Sequence, residues 1–350
     1  MTHQLNFDSR GGQIATLLAG SWRTSPPKLA VPPKGLDAIA PRLSNTGCGA
    51  LAWWRLRHSD MSLPATASRL REAYLAQAVY AAEHECRVIE TFGLLRSAGI
   101  EPILLKGWAI ARLYPESGLR PSGDIDLCVA PNHRASAQSA SRSYWVDFDH
   151  DEITRFGECD FQDLYDHSQL VKLDGYELRV LGPEDHLRLL CLHFLKHGAW
   201  RPLWLCDVAA AVEARAQTFD WDRCYGRNTR WAEWISCTLL LAQRLLEARL
   251  EDAPTRRGAS ELPSWLPHSV LKQWSTDYPR NLPTFANQIT AERMSQNIVH
   301  TILQRWPNPI QATVDTNGQF NRRPRLPFQI RNVFHRSAKL CVQYVKRTPG

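Results

Sequence analysis

The chain has 350 residues, 44% of them hydrophobic and 22% charged, which excludes wholesale disorder, collagen-like repeats and a disulfide-stapled miniprotein. Its nine cysteines are odd in number, scattered and without a C-x-x-C pair. They read as free thiols of a reducing cytosol, not as a disulfide framework or a zinc knuckle. The net charge of +7 sits at one end: residues 321–350 hold eight Arg or Lys and no acid, leaving 34 bases against 35 acids elsewhere. Such a tail suits RNA, an acidic partner or anionic headgroups, but the plainer reading is a solvated basic terminus, so nucleic acid is not the favoured partner. No signal peptide is visible, and the most apolar stretch, Trp234 to Leu246, is interrupted and too short to span a bilayer. A cytoplasmic protein without a transmembrane segment is expected.

Residues 1–35, broken by Pro26-Pro27 and Pro32-Pro33, read as a loose lead-in with one short helix at Ile14 to Leu18. From 64 to 97 the apolar spacing turns helical: Leu70, Tyr74, Ala78, Ala81 and Ala82, then Val88, Ile89, Phe92 and Leu95, with Gly99 as the stop. Pro102 to Leu105 is a buried strand, Lys106-Gly107 a turn, and Trp108 to Tyr114 a helix that Pro115 ends. Asp124 to Val129 alternates acid and apolar residues, as a two-faced strand does. Pro131 to Ser141 follows as a polar helix and Tyr144 to Phe148 as a third strand. Asp174-Gly175, between two alternating runs, predicts a type I′ hairpin.

From Pro183 the pattern is helical again, with Pro183, Glu184 and Asp185 suited to a first turn and Gly198 to a C-terminal cap. Two more helices are predicted at Leu203 to Ala214 and Arg230 to Leu250. Residues 251–283, rich in Pro and Ser, read as a linker or extended wrap, and Ala291 to Gln304 as a last helix before the tail. Four regions result: a 1–84 extension, an α/β core over 85–182, a helical domain over 183–250, and a linker, short helix and basic tail over 251–350. The expected class is α+β, a small mixed sheet flanked by helices.

Chemistry concentrates in the middle. Residues two apart on a strand share a face, so Asp124 and Asp126 project their carboxylates side by side. Carboxylates held so repel unless a cation lies between them, the way Mg²⁺ is held beside substrate phosphates; the plain alternative is two charges protecting a sheet edge. The strand-to-helix turn at Lys106-Gly107 offers backbone N–H groups and an ammonium to phosphate oxygens, although Lys106 also reads as an ordinary surface lysine. Arg120 either clamps a phosphate or pairs with Asp124 or Asp126. A third carboxylate comes from Asp147 or Asp149, which share a face of the third strand, so spacing leaves the choice open. His193 and His197 stand four apart on a helix, but no HExxH glutamate accompanies them. They read as hydrogen-bonded, cleft-lining histidines, with Asp207 as a partner for one of them. Walker A, nucleophile-elbow and kinase signatures are missing, and Gly47 to Ala52 matches G-x-G-x-x-A without a preceding strand.

Leu105-Lys106-Gly107, Tyr114-Pro115, Arg120 and Asp124-Ile125-Asp126-Leu127 resemble the uncharacterised nucleotidyltransferase family of bacteria, a branch of the polymerase-β nucleotidyltransferase superfamily. The resemblance continues through 146–150, Pro183-Glu184, Leu192 to His197 and Trp204 to Asp207, covering roughly residues 85–225. It implies a mixed sheet with helices, two metal-binding aspartates on one strand and a third acid on the next, which by position in the motif is Asp147. It also implies Mg²⁺-dependent transfer of a nucleotidyl group from an NTP to an acceptor. Asp124, Asp126 and Asp147 would hold the metal, with phosphate contacts at Lys106, Gly107 and Arg120. The turn departs from the superfamily's Gly-Gly or Gly-Ser, since Trp108 follows Gly107 at a longer spacing to the aspartates. A nucleotide-binding or scaffold protein without turnover is therefore the competing expectation.

Overall fold

A computed structural model describes residues 5–29, 35–59, 65–141, 146–148, 160–251, 253–254, 262–276 and 306–347, with side chains of the last segment described to 336. The predicted helix at Ala291 to Gln304, and the residues Asp149 and His150, lie outside the described residues. Among the described residues the chain is α+β, with fourteen α-helices around one five-stranded mixed sheet.

Helices α1 (Arg10–Leu18), α2 (Leu36–Asn45) and α3 (Gly49–Arg57) precede α4, an unbroken 33-residue helix over Ala65–Ser97. Gly99, at φ +74°, ends α4 as expected, because a left-handed residue costs glycine nothing. The sheet is built from β1 (Ile103–Leu104), β2 (Ile125–Cys128), β3 (Val146–Phe148), β4 (Gln169–Leu173) and β5 (Tyr176–Val180), in the order β3-β2-β1-β5-β4. Between them lie α5 (Trp108–Ala111), a 3₁₀ turn, α6 (Arg134–Ala140) and α7 (Phe161–Asp166). β1 runs antiparallel to β2 and parallel to β5, β2 is parallel to β3, and β4 and β5 form the hairpin. Asp174 and Gly175 sit at φ 47° and 86°, the two positive values that a type I′ turn needs.

The two faces of the sheet bury different residues, and that difference positions the site. Ile125, Leu127, Val146 and Phe148 join Val88, Phe92 and Leu95 of α4 in one cluster. Ile103, Leu105 and Cys128 face the other way, onto Leu164 of α7 and Leu189 of α8 (Pro183–Lys196). The largest core lies outside the sheet. It joins α1–α3 to α8, α9 (Pro202–Glu213), α10 (Trp221–Tyr225) and α11 (Thr229–Leu246).

Two stretches differ from their sequence reading. Residues 265–275, read as linker, form α12 (Trp265–Ser275), which buries Leu266, Val270, Leu271 and Trp274 in that core. Its one proline and two serines, within the Pro- and Ser-rich stretch 251–283, suggested a wrap, but the Leu266, Val270, Trp274 spacing is helical and burial decides. The lead-in is also more than loose: α1 inserts Ile14, Leu17 and Leu18 at zero exposure, and α2 and α3 follow. After α13 (Pro309–Asp315), the basic tail forms α14 (Leu326–Arg347). No described helix is long and apolar enough to cross a membrane, and the seven described cysteines form no disulfide.

Candidate active site

Pro102 to Leu105 are fully buried, so β1 enters the sheet as a short apolar run and must turn sharply at its end. The turn is made at Gly107, at φ 64° and ψ −118°, a conformation that side-chain-bearing residues rarely adopt. A Cβ there would stand 3.3 Å from the Asp124 carbonyl oxygen and 3.7 Å from His84 Nε2, so the site is tight as well as left-handed. Leu105 N–H donates to Asp126 O at 2.9 Å, which holds the end of β1 against the acidic strand. Lys106 Nζ then lies 3.2 Å from Asp126 Oδ1, both side chains being mostly buried.

The register of β2 and β3 pairs Ile125 with Val146, Asp126 with Asp147, and Leu127 with Phe148. The apolar partners enter the α4-facing cluster, so Asp126 and Asp147 stand together on the opposite face, on strands about 4.8 Å apart. Asp124 lies one residue before β2 and is exposed, as is Asp147. Among the described residues no three His, Cys, Asp or Glu side chains gather closely enough to make a complete metal-ion shell. The donor set still fits Mg²⁺, which prefers carboxylate oxygen and commonly takes one or two carboxylates plus substrate phosphates in place of an all-protein cage.

Arg120 pairs elsewhere. Its guanidinium lies 2.9 Å from Asp207 Oδ2, with side chains 9% and 0% exposed, and the Tyr114 hydroxyl donates to Asp207 Oδ1 at 2.8 Å. Burial works against the Arg120 charge, but Asp207 outweighs it and raises the pKa above the ordinary arginine value. Burial and the same carboxylate push the Tyr114 hydroxyl well up. The other arm of Arg120 donates to Pro121 O at 2.9 Å and Ser122 Oγ at 3.2 Å, so the buried pair anchors the strip that leads into Asp124.

His193 and His197 pack on the ring of Trp204, with centroids 4.6 and 5.2 Å away, and the two imidazoles are 4.5 Å apart. Asp207, expected as a partner for one of them, is tied to Tyr114 and Arg120.

Three residues outside the expected site surround this network. His84 of α4 and His186 of α8 are buried with Nε2 unpartnered among the described residues. Burial, then nearby arginines, lower their pKa to about 4 and about 3. Arg112 closes α5 beside a cavity of about 340 Å³. The signal for His84 was available, since it stands one helical turn before Val88 in the buried stripe of α4.

A family model described as an uncharacterised nucleotidyltransferase matches residues 36–143 and 141–247, together more than half of the chain. No curated protein and no solved structure matches.

Proposed function

The chain belongs to the uncharacterised nucleotidyltransferase family, and on that premise we propose that it transfers a nucleotidyl group from an NTP to an acceptor in a Mg²⁺-dependent reaction. The observation that carries this reading is the Asp126–Asp147 register, which sets two carboxylates on one face of adjacent parallel strands with Lys106 beside them. Asp124, Asp126 and Asp147 would hold the metal. When bound, Mg²⁺ would neutralise charge on the reacting phosphates and align them.

The chain's own groups do the rest. Lys106 and the Gly107 turn contact phosphate oxygens, Lys106 moving from Asp126 to the triphosphate as the donor enters. Asp147, on the more open strand, accepts the proton of an acceptor hydroxyl. That oxygen attacks the α-phosphorus in line, the bond to the bridging oxygen breaks, and pyrophosphate leaves. Positioning and charge compensation supply most of the acceleration, as in phosphoryl chemistry generally. Arg120 positions the strip before Asp124 through its bonds to Pro121 and Ser122.

The test is pyrophosphate release with each NTP and a mixture of candidate acceptors. Asp124→Asn should abolish it with little loss of fold, since removing a like charge relieves repulsion, and Asp126→Asn should abolish it at the cost of the Lys106 ion pair as well. Asp147→Asn should lose turnover and keep NTP binding, whereas Asp149→Asn should remain active. Wild-type turnover in any of the first three variants refutes the assignment. The second reading, a binding or scaffold protein without turnover, is favoured by one contact: Lys106 already neutralises Asp126 at 3.2 Å, where a cation would otherwise be needed. It predicts NTP binding without pyrophosphate release under every acceptor condition.

A further inference from the structure

The cavity of about 340 Å³ lies between α4, α5, the 114–122 segment and the tip of the β4–β5 hairpin. Residues of α4 and α5 line it, whereas Asp126 and Asp147 face the α8 side of the sheet. Arg112 lines it, half-buried, with an Nε that has lost water and gained no hydrogen bond. Among the described residues no group pairs with this guanidinium, and burial alone holds its pKa below the ordinary arginine value. The buried arginines all have hydrogen-bond partners: Arg120 has Asp207, Arg188 has Asp185 and the Cys224 carbonyl, and Arg42, Arg55 and Arg325 have backbone carbonyls. A desolvated cation without a counter-charge costs stability, and the cost is recovered when an anion arrives.

A second observation points the same way. His84 is 4% exposed, lines the same cavity, and leaves its Nε2 unpartnered among the described residues. Lys172 adds another cation at the hairpin rim. Three acids also line the cavity: Glu116 is taken up by Arg57 at 2.7 Å and Tyr74 at 2.6 Å, Glu85 accepts from Trp108 Nε1 and the Ser117 hydroxyl, and Asp174 stands exposed at the hairpin tip. The geometry points to an anion-binding site in this cavity, taking a phosphate or carboxylate group with Arg112 as its charge partner and His84 Nε2 as a donor. The anion is either the phosphate tail of an NTP reaching past the turn or an acidic ligand of its own. The site rests on the cavity and does not require the transfer reading.

Titration calorimetry of the full chain with inorganic pyrophosphate, and separately with succinate, in low-salt, metal-free buffer tests this. The wild type should bind at least one of them. Arg112→Gln should weaken that binding at least about tenfold and raise the thermal midpoint, because a desolvated, unpaired charge has gone. A structural arginine would give the opposite midpoint shift. The titration needs neither metal nor turnover, which separates failure here from failure of nucleotidyl transfer. ATP titrations then assign the source: weaker ATP binding by Arg112→Gln gives the site to the donor phosphates, and unchanged ATP binding gives it to a separate acidic ligand. No anion binding by the wild type, wild-type binding by Arg112→Gln, or a lowered midpoint in that variant would each overturn the proposal.

Discussion

Asp207→Asn is the most informative single substitution for the fold beneath the site. It keeps the side-chain volume and removes one charge from a pair in which Asp207 is 0% and Arg120 9% exposed. Deleting one partner of a buried ion pair leaves the other uncompensated, at a cost of about 3–5 kcal/mol. The Tyr114 hydroxyl, which donates to Asp207 at 2.8 Å, then competes with Arg120 for a single amide oxygen, adding about 1 kcal/mol. For a chain of this size that is a fall in the thermal midpoint on the order of 10 °C. Calorimetric or circular-dichroism melts of the wild type, Asp207→Leu, Arg120→Met and the Asp207→Leu/Arg120→Met double variant complete the cycle beside Asp207→Asn. The double variant should be much closer to the wild type than either single one, since an apolar pair carries no stranded charge. A loss below about 1 kcal/mol in Asp207→Asn, the scale of an exposed pair, would refute the claim that this pair is a buried anchor.

Other outcomes follow from the same geometry. Gly107→Ala forces a side chain into φ 64° and sets a Cβ 3.3 Å from the Asp124 carbonyl; strain of about 1–3 kcal/mol is expected, and denaturant melts with no measurable loss would contradict it. Acid should destabilise the chain through its buried histidines, whose folded pKa values of about 3 and about 4 lie below the unfolded 6.5. The unfolded chain alone takes up these protons as pH falls below 6.5. The stabilisation is therefore complete above that pH and is lost toward pH 4 and 3, by up to about 1.4 kcal/mol per pH unit for each group. His186→Gln should flatten the dependence of stability on pH between 6.5 and 4.5, and an unchanged slope would place His186 elsewhere.

The sheet was legible because its signals are local. Period-two alternation in Asp124 to Val129 predicted β2, Asp174-Gly175 predicted the hairpin turn, and Gly99 predicted the end of α4. Each depends on a handful of neighbouring residues and on backbone sterics that operate wherever the segment sits. The helices at 36–57 and 265–275 escaped because their stabilisation is tertiary: Trp274 is helical where it contacts Ala199 O at 2.9 Å, a partner 75 residues away. Proline and serine content describes a segment in isolation and is silent about such a partner.

The same contrast runs through the site. A motif can place Asp124 and Asp126 on one strand, but the pairing of Asp126 with Asp147 is a fact about register between strands joined by nearly twenty residues. Period two narrowed the third acid to a face without choosing along it. Arg120 shows the limit most plainly. Read alone, an arginine four residues before an aspartate is equally a phosphate clamp or an ion-pair partner, and its spacing suggests partners nearby in sequence. Its carboxylate is instead 87 positions on, in the α9 helix, and that contact joins the helical region to the turn that presents the acids. Arg112, eight residues earlier, has no such partner among the described residues. Two arginines of one segment thus have opposite consequences, one locking the scaffold and the other holding a charge in reserve. Only the presence or absence of a distant carboxylate distinguishes them.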